Sequence, residues 1–297
     1  MKIWNEPFPH FDGAFAVCIG KFDGLHVGHR LILSTLADEA RRHGARSVAY
    51  AFTNGGPLLD TPQDKLSMLQ TLGMDHVVQA KLDEDFCCLS PEQFVARLCA
   101  CGTLNAVVVG ADFRFGCAAA GDVALLKRLG VRHGFDVFAL GQLTVGGMTV
   151  SSTRIRELVR AGNVETAAVL LGREYRVSGV VSTGMRLGRT LGYPTANFAP
   201  EPAKVLPACG VYAAWAEVDG RTWASMTDIG NKPTFDGKEI LYESHLLDYR
   251  GDLYGKTITL RLVRRLRDDV RFDGVDALLE QLKRDEADVR ALLLGQG

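Results

Sequence analysis

The apolar positions of this chain follow two different patterns, one before about residue 172 and one after it. In the first part, short continuous apolar runs are each ended by Gly or by a polar residue. Such runs are typical of strands that are buried on both faces of a parallel sheet. Strands are therefore predicted at residues 14–19, 47–52, 76–80, 106–109 and 135–140.

Segments with helical spacing lie between these runs. After the first run, Leu33, Leu36 and Ala40 recur at intervals of three and four residues, which predicts a helix. Further along, Ser90 followed by Pro91 indicates a helix start, with Ser as the N-cap and Pro at the first helical position. Strands that alternate with helices predict a parallel α/β sheet with right-handed crossovers.

The pattern changes after a helical stretch that begins at Ser151. Short strands separated by Gly and Pro turns follow, which is typical of a small β-barrel. They are predicted at residues 177–182, 210–218, 222–227, 239–246 and 257–266. Residues 274–294 predict a terminal helix, with an apolar stripe made by Val275, Leu278, Leu279 and Leu282. We therefore predict two domains, residues 1–172 with a Rossmann-like α/β fold and residues 173–297 with a β-barrel and a terminal helix.

Composition narrows the classes of function. The chain has 297 residues and a net charge of −1, which argues against a chain-wide nucleic-acid or membrane partner. It shows no signal-peptide pattern and no apolar run long enough to cross a membrane, so we expect a cytoplasmic protein. The seven cysteines lack zinc-site spacing, and we expect reduced, mostly buried thiols. The sequence does not indicate an oligomeric state.

The polar loop after the first predicted strand carries candidate chemistry for a nucleotide. His26 and His29 are three residues apart and share a face of the first helical turn, while Gly28 leaves room for a phosphate to approach. N–H groups at a helix start attract anions, and imidazoles stabilise charge that develops on a triphosphate. The predicted binding segment also includes Gly20, Lys21, Phe22, Asp23 and Gly24. Because ligands of open α/β sheets bind at the carboxyl ends of strands, we expect a nucleotide site here.

A second candidate phosphate site opens the helix near residue 151. Ser151, Ser152 and Thr153 are consecutive, and Arg156 follows one turn later. Hydroxyls at a helix start act as caps, and this alone would explain one or two of them. Three consecutive hydroxyls followed by arginines could also bind a phosphate group.

A third segment follows the predicted strand at residues 106–109. Asp112, Phe113 and Arg114 lie there between two glycines. The aromatic face suits stacking on a flat ring, and a packed turn is the alternative explanation.

The second part of the chain carries a different set of polar residues. Thr195 and Asn197 are two residues apart, so they share one face of an extended segment. Their oxygens suit a Mg²⁺ ion that already carries nucleotide phosphates. Glu243, on a later predicted strand, is suited to accept a proton from a substrate hydroxyl, and a solvent-facing carboxylate is the alternative. The Gly-rich segment before Thr195 suits a polyphosphate and includes Gly184, Arg189 and Gly192.

Seven motifs, in their order and spacing, resemble one protein family. They are IGKFDGLHVGH, VVVGADFRFG, SSTRIR, GRTLGYPTAN, GVY, IGNKPTF and LYG, and they resemble the bacterial bifunctional riboflavin kinase/FAD synthetases over nearly the whole chain. The resemblance implies an FMN adenylyltransferase in the first domain, which transfers AMP from ATP to FMN and yields FAD. It implies a riboflavin kinase in the second domain, which uses ATP and Mg²⁺ to make FMN from riboflavin.

The resemblance also implies roles for individual residues. His26 and His29 would hold the ATP phosphates, and Glu243 would accept the proton of the ribityl hydroxyl. Thr195 and Asn197 would bind Mg²⁺ and the ATP phosphates. The hydroxyl-rich helix start would close over the phosphates of the first site through Ser151, Ser152, Thr153 and Arg156. The flavin and nucleotide would be contacted by Asp112, Phe113 and Arg114.

Other functions remain open at this level. Members of the family commonly carry a His close to residues 54–56, where this chain has Asn-Gly-Gly. A riboflavin kinase whose first domain only binds flavin or nucleotide is therefore the main alternative. Transfer of a nucleotide to another acceptor is a further one. The Arg-rich run at residues 261–267 alternates with Leu, so we interpret it as a solvated strand face rather than a nucleic-acid site.

Overall fold

The computed structural model describes residues 1–53, 55–81, 83–182, 192–234 and 237–295. The chain divides into two compact units, Met1–Ser152 and Thr153–Gly297. No helix among the described residues is long and apolar enough to cross a membrane.

The first unit is built on a six-stranded sheet in which every neighbouring pair is parallel. Its strands are β1 (Lys2–Trp4), β2 (Ala14–Gly20), β3 (Arg46–Thr53), β4 (His76–Lys81), β5 (Thr103–Gly110) and β6 (Asp136–Leu140). Its helices are α1 (Val27–Arg42), α2 (Pro62–Thr71), α3 (Glu84–Cys87), α4 (Pro91–Cys99) and α5 (Val123–His133). A 3₁₀ turn at Cys117–Ala119 and a small hairpin of β7 (Thr144–Val145) and β8 (Met148–Thr149) complete it.

The strand order places the crevice of this sheet beside β2. The order is β1-β4-β3-β2-β5-β6, so the chain runs from β2 outward to one side and then crosses to β5 on the other side. In open parallel sheets, ligands bind outside the carboxyl ends of strands at such a reversal. Gly20 ends β2 and Gly110 ends β5, so the two loops predicted to bind nucleotide begin at this reversal.

Strand β2 is buried on both faces, as its apolar run predicts. Phe15, Val17 and Ile19 belong to one hydrophobic cluster, whereas Ala16 and Cys18 belong to the other. Successive side chains of a strand point to opposite faces, so alternate residues of β2 serve two separate cores. Residues of α4 and α5 pack in the first cluster and residues of α1 and α2 in the second, so helices cover both faces of the sheet.

The second unit is mainly a curled antiparallel sheet. It contains α6 (Ser152–Arg160), which begins at the last residue of the first unit, and α7 (Val164–Leu171). Its strands are β9 (Tyr175–Val180), β10 (Ala196–Phe198), β11 (Gly210–Val218), β12 (Arg221–Thr234), β13 (Gly237–Leu246) and β14 (Thr257–Arg267). The order is β10-β13-β12-β11-β14-β9, and an isolated bridge between Ser182 and Asn197 joins the two ends of this half-barrel.

Helix α8 (Val275–Val289) and a π-helical turn (Arg290–Leu294) end the described part of this unit. Val289 is fully buried in a cluster with residues of β11 and β12, and Leu282 packs against the same cluster. Leu278 and Leu279 are half-buried, whereas Val275 is exposed, so the predicted apolar stripe of this helix covers the barrel only from its second turn onward.

The structure confirms the predicted fold class, and most strand and helix limits agree within a few residues. Ser90 caps α4 with Pro91 at its start, and Gln93 completes a capping box. The sequence pattern missed the short elements β1, β7, β8, β10 and α3. The expectation of mostly buried thiols is wrong: all seven cysteines are free, but Cys87, Cys88 and Cys117 are exposed.

Candidate active sites

The β2–α1 loop takes an unusual backbone path before the helix begins. Phe22, Gly24 and Leu25 have φ angles of 47°, 85° and 32°. These turns insert the side chains of Phe22 and Leu25 into the core between the sheet and its helices, where both are almost completely buried. The packing of these two side chains in the core therefore anchors the loop, and its polar residues lie at the edge of the sheet.

His26 and His29 form a stacked pair at the start of α1. Their ring centroids are 3.6 Å apart, with the planes at 14° to each other. His26 is the N-cap, and its Nδ1 accepts a hydrogen bond of 3.2 Å from the backbone N–H of His29. A neutral His26 therefore carries its proton on Nε2. The predicted shared face of the two histidines is thus present, at the positive end of a helix.

The absence of a side chain at Gly28 allows the His26 ring to pack against the start of α1. A Cβ atom at Gly28 would lie 3.3 Å from Cε1 and Nδ1 of His26, closer than side chains normally approach. The sequence suggested that this glycine leaves space for a phosphate, and the structure shows that it leaves space for the His26 ring.

His29 is held in its neutral form. Burial is the main cause that lowers its pKa well below the ordinary value, and the charges of His26 and Lys65 lower it further. Its Nδ1 is buried without a hydrogen-bond partner in the part of the chain that the structure describes. A neutral imidazole offers one N–H donor and one acceptor nitrogen to the groups around it.

The segment between β3 and α2, together with the start of α2, is tied to the same loop by hydrogen bonds. Oδ1 of Asp23 accepts hydrogen bonds from the backbone N–H groups of Leu59, at 2.9 Å, and Asp60, at 3.4 Å. Nζ of Lys65, on the first turn of α2, donates to the carbonyl of Lys21 at 2.9 Å. Burial lowers the pKa of Lys65, and the nearby Asp23 and Asp60 oppose this shift.

Sequence reasoning did not select Lys65 as a site residue. A signal was available, because Lys65 is the only Lys or Arg between residues 47 and 80 and lies one turn inside a capped helix. Its contact with Lys21 spans 44 positions along the chain, which no local pattern reveals.

The hydroxyl-rich segment near residue 151 meets the loop at one point within the first unit. Oγ of Ser152 donates to the carbonyl of Asp23 at 2.8 Å, and Ser151 beside it is half-buried. Thr153 and Arg156 belong to the second compact unit. Their contact with nucleotide phosphates stays a prediction.

The loop after β5 is packed at its aromatic residues and open at its charged ones. Phe113 stacks on Phe115 with ring centroids 5.6 Å apart, while Asp112 and Arg114 are exposed. A Cβ at Gly116 would lie 2.7 Å from the ring of Pro91. The packed turn that the sequence left open as an alternative therefore accounts for Phe113, and its role in flavin binding stays a prediction.

In the second unit, the strand pairing brings the predicted kinase residues together. Asn197 on β10 pairs with Glu243 on β13, and Glu243 in turn pairs with Asp228 on β12. Nδ2 of Asn197 donates to Oγ1 of Thr195 at 3.2 Å. Gly192 precedes them with a φ of 83°, whereas the predicted residues Gly184 and Arg189 lie outside the described residues.

Two cavities meet at Thr195. The larger, of about 300 Å³, has Thr195 and Glu243 in its wall, with apolar side chains from the barrel and from α8 around them, among them Val211, Met226, Val270, Phe272, Leu278 and Leu282. The smaller, of about 80 Å³, is lined by Thr195, Asn197 and a more polar set that includes Tyr249, Asp252 and Tyr254. Thr195 is thus a wall residue of both cavities, of which the larger has the more apolar lining.

A buried ion pair forms part of the wall of the larger cavity. Asp285 on α8 is almost fully buried and accepts a bidentate contact from Arg267 on β14, with Nη2 to Oδ2 at 2.8 Å. Gln281 donates to the other oxygen at 2.8 Å. The neighbouring arginines of the run are also matched by carboxylates, Arg261 by Glu174 and Arg264 by Glu165. The solvated strand face predicted from the sequence is therefore a set of ion pairs.

Together these features define a class of protein. An α/β unit with a stacked His pair at a helix start, and a β unit with Thr, Asn and Glu around paired cavities, are the two halves of a nucleotide-dependent transferase.

Comparisons with known proteins identify the family. A family model described as FAD synthetase matches residues 9–154, and one described as riboflavin kinase matches residues 171–293. The bifunctional riboflavin kinase/FMN adenylyltransferase of Pseudomonas fluorescens is 36% identical over 296 residues, with 96% of this chain and 94% of the relative covered. The protein of the same name from Bacillus subtilis is 31% identical over 285 residues, with 91% and 90% covered. The chain belongs to the bifunctional riboflavin kinase/FMN adenylyltransferase family.

One solved structure agrees over the full length. The crystal structure of a macrolide-efflux protein from Streptococcus pneumoniae has a TM-score of 0.91 and 28% sequence identity, with 98% of this chain and 99% of that chain covered. The name of that protein differs from the names of the relatives, whose identity to this chain is higher and whose activities match both family models.

Proposed function

We propose that this chain phosphorylates riboflavin to FMN in its second unit and adenylylates FMN to FAD in its first, with ATP as co-substrate of both reactions. The observation that carries this proposal is that each unit holds its own set of predicted residues. The His26–His29 pair stands at the helix start beside the sheet reversal, and Asn197 and Glu243 are partners on paired strands, with Thr195 just before the first of them. The comparisons support both halves of the assignment.

For the kinase, the two cavities suggest how the substrates are arranged. The apolar side chains of the larger cavity suit the flat flavin ring, and the polar lining of the smaller cavity suits phosphate groups of the nucleotide. Glu243 lines the larger cavity, where it would accept the proton of the ribityl hydroxyl as the oxygen attacks the γ-phosphorus of ATP and ADP leaves. Thr195 stands between the two cavities, where the phosphoryl group passes.

The residues present fit a magnesium ion. Hydroxyl and amide oxygens are hard ligands, and Mg²⁺ is usually held by few protein groups, with phosphates and water completing its shell. Among the described residues, no group of three or more His, Cys, Asp or Glu could hold a metal, so an all-protein cage is not the alternative here. Thr195 and Asn197 would hold the ion, which would neutralise phosphate charge when bound.

For the adenylyltransferase, the first unit supplies hydrogen bonds and position. A phosphate oxygen of FMN would attack the α-phosphorus of ATP, and pyrophosphate would leave. The ring N–H groups of His26 and His29, with the N–H groups that open α1, would bind the oxygens on which charge builds. The hydrogen bonds of Asp23 and Lys65 would hold the loop in place for this.

The test uses each activity as the control for the other. Purified protein is incubated with ATP and Mg²⁺, once with riboflavin and once with FMN, and the flavins are separated by chromatography. Glu243→Ala should abolish FMN formation and leave conversion of FMN to FAD intact, whereas His29→Ala should do the reverse. Near wild-type phosphorylation by Glu243→Ala would show that the assigned base is wrong. FMN from riboflavin, with no FAD from either substrate, would favour a kinase with a non-catalytic first domain.

The extent of each domain is part of the same proposal. We assign residues 1–172 to adenylyl transfer and residues 173–297 to the kinase, and the start of the riboflavin kinase match at residue 171 supports this. By contacts, α6 and α7 belong to the second compact unit, although residues 151–156 resemble a motif of the first activity. The cytoplasmic location stays a prediction.

A further inference from the structure

His245 lies two residues after Glu243 on β13, on the same face of the strand. Both side chains line the larger cavity, whereas Tyr242 and Ser244 between and beside them are fully buried. This alternation follows from the two-residue period of a strand. His245 therefore points toward the space where the kinase reaction is proposed, although the assignments above give it no role.

The imidazole of His245 contacts the segment that carries Thr195. Its Nδ1 lies 2.8 Å from the carbonyl oxygen of Pro194. A carbonyl oxygen only accepts, so Nδ1 carries the proton and donates it. The ring also meets Tyr193 edge to face, with centroids 5.2 Å apart. Two successive residues just before Thr195 are thus held by one side chain.

The backbone cannot provide this link by itself. The β10–β13 ladder begins at the pair Ala196 and Ser244, so Tyr193, Pro194 and Thr195 lie beyond its end. Proline has no N–H to donate, and a ladder cannot be extended through it. The hydrogen bond from His245 takes the place of the missing ladder bond next to Thr195.

We propose that His245 is a positioning residue of the riboflavin kinase site: its Nδ1–H holds the Pro194 carbonyl and so fixes Thr195 between the two cavities, opposite Glu243. The inference rests on the proposed kinase function and deepens it. His245 acts through the 193–195 segment and takes no proton from substrate. Errors of about 1 Å in the placement of a phosphate ligand are enough to lower a transfer rate about a hundredfold.

Two substitutions separate the hydrogen bond from the ring. His245→Asn keeps an N–H donor at the same number of bonds from the backbone but removes the ring. His245→Phe keeps a ring beside Tyr193 but removes the donor. For each variant, kcat and KM for riboflavin phosphorylation are measured, together with the rate of FMN adenylylation and the thermal midpoint.

We expect His245→Phe to lower kcat of the kinase about 30-fold, which corresponds to about 2 kcal/mol of barrier. KM for riboflavin should change by less than about threefold, because the apolar side chains of the cavity, among them Val211, Met226 and Leu282, are unchanged. His245→Asn should stay within about threefold of wild type in kcat. FMN adenylylation and the thermal midpoint should be unchanged in both variants, which separates positioning from a general loss of structure.

Other outcomes would overturn the inference. Full kinase activity in His245→Phe would show that the hydrogen bond is not needed. A loss in His245→Asn alone would assign the effect to the ring. Equal losses in both variants would show that the N–H donor by itself does not preserve the rate, which contradicts the proposed role. A general loss of stability in both variants, with both activities reduced, would make the role structural. If wild-type protein formed no FMN at all, the proposed kinase function would fail first, and the inference with it.

Discussion

At the scale of single residues, burial lowers the pKa of two groups near the β2–α1 loop, His29 and Lys65. The lowered pKa keeps His29 neutral. The ammonium group of Lys65 donates a hydrogen bond to the carbonyl of Lys21 in the loop, although burial lowers its pKa. Neither effect depends on the residue type alone. Both follow from where the β2–α1 loop and α2 meet.

The neutral state of His29 predicts how stability responds to acid. The unfolded chain takes up a proton at this residue near its ordinary pKa of 6.5, whereas the folded protein resists protonation to a lower pH. The unfolded state then binds more protons, so the free energy of unfolding should fall as the pH drops below about 6.5 and stay flat above it. The charged groups that face His29 are His26 from its own segment and Lys65 from α2.

The measurement is urea unfolding between pH 5 and pH 8. His29→Gln should show a shallower acid slope than wild type, because it has no proton to take up. His133→Gln, at an exposed position at the end of α5, controls for the loss of one histidine and should follow wild type. Equal slopes in wild type and His29→Gln would show that the folded protein does not hold His29 in its neutral form.

At the scale of elements, the attachment of α8 to the barrel combines apolar packing with one buried ion pair. Val289 and Leu282 provide the packing, and Asp285 reaches Arg267 on β14. A buried charge whose partner is removed is costly, whereas an exposed ion pair contributes little. The same helix supplies Leu278 and Leu282 to the larger cavity, so its attachment also shapes the proposed flavin site.

Asp285→Ala is therefore expected to destabilise the protein by about 3 kcal/mol, because Arg267 loses its carboxylate partner in a largely buried position. The matched control is Glu280→Gln on the same helix, which breaks the exposed pair with Arg284 and should cost less than about 0.5 kcal/mol. Denaturant midpoints of the two variants give the comparison. Similar small losses in both would mean that the buried pair does not attach the helix.

At the scale of the whole molecule, each proposed reaction has its residues in one compact unit, apart from the hydroxyl-rich segment at the boundary. The first unit holds the stacked histidines, and the second holds Thr195, Asn197 and Glu243. FMN, the product of one proposed reaction, is the substrate of the other.

Two inactive variants should therefore complement each other. Glu243→Ala should make no FAD from riboflavin because it forms no FMN, and His29→Ala should stop at FMN. A mixture of the two should form FAD from riboflavin, since FMN released by one protein can bind the other. The flavin products are followed by chromatography over time. If the mixture accumulated FMN without FAD, then FMN would not pass between proteins through solvent.

Much of this fold was predictable because its signals are local. The apolar run that ends at Gly20 predicted β2, Ser90 and Pro91 predicted the start of α4, and the spacing of His26 and His29 predicted a shared face. The exposed thiols of Cys87 and Cys88 were mispredicted because the burial of a residue type is only a tendency, and α3 is a short surface element.

The sequence by itself determined which residues are candidates for the proposed chemistry, and which faces of most strands and helices are apolar, because both follow from residue type and from spacing over a few positions. Only the tertiary structure decided which distant groups meet: Lys65 with the carbonyl of Lys21, Arg267 with Asp285, and His245 with the carbonyl of Pro194. These contacts depend on strand order, pairing register and helix docking. Those are set by the burial of the whole chain, and a pattern read over a few neighbouring residues does not contain them.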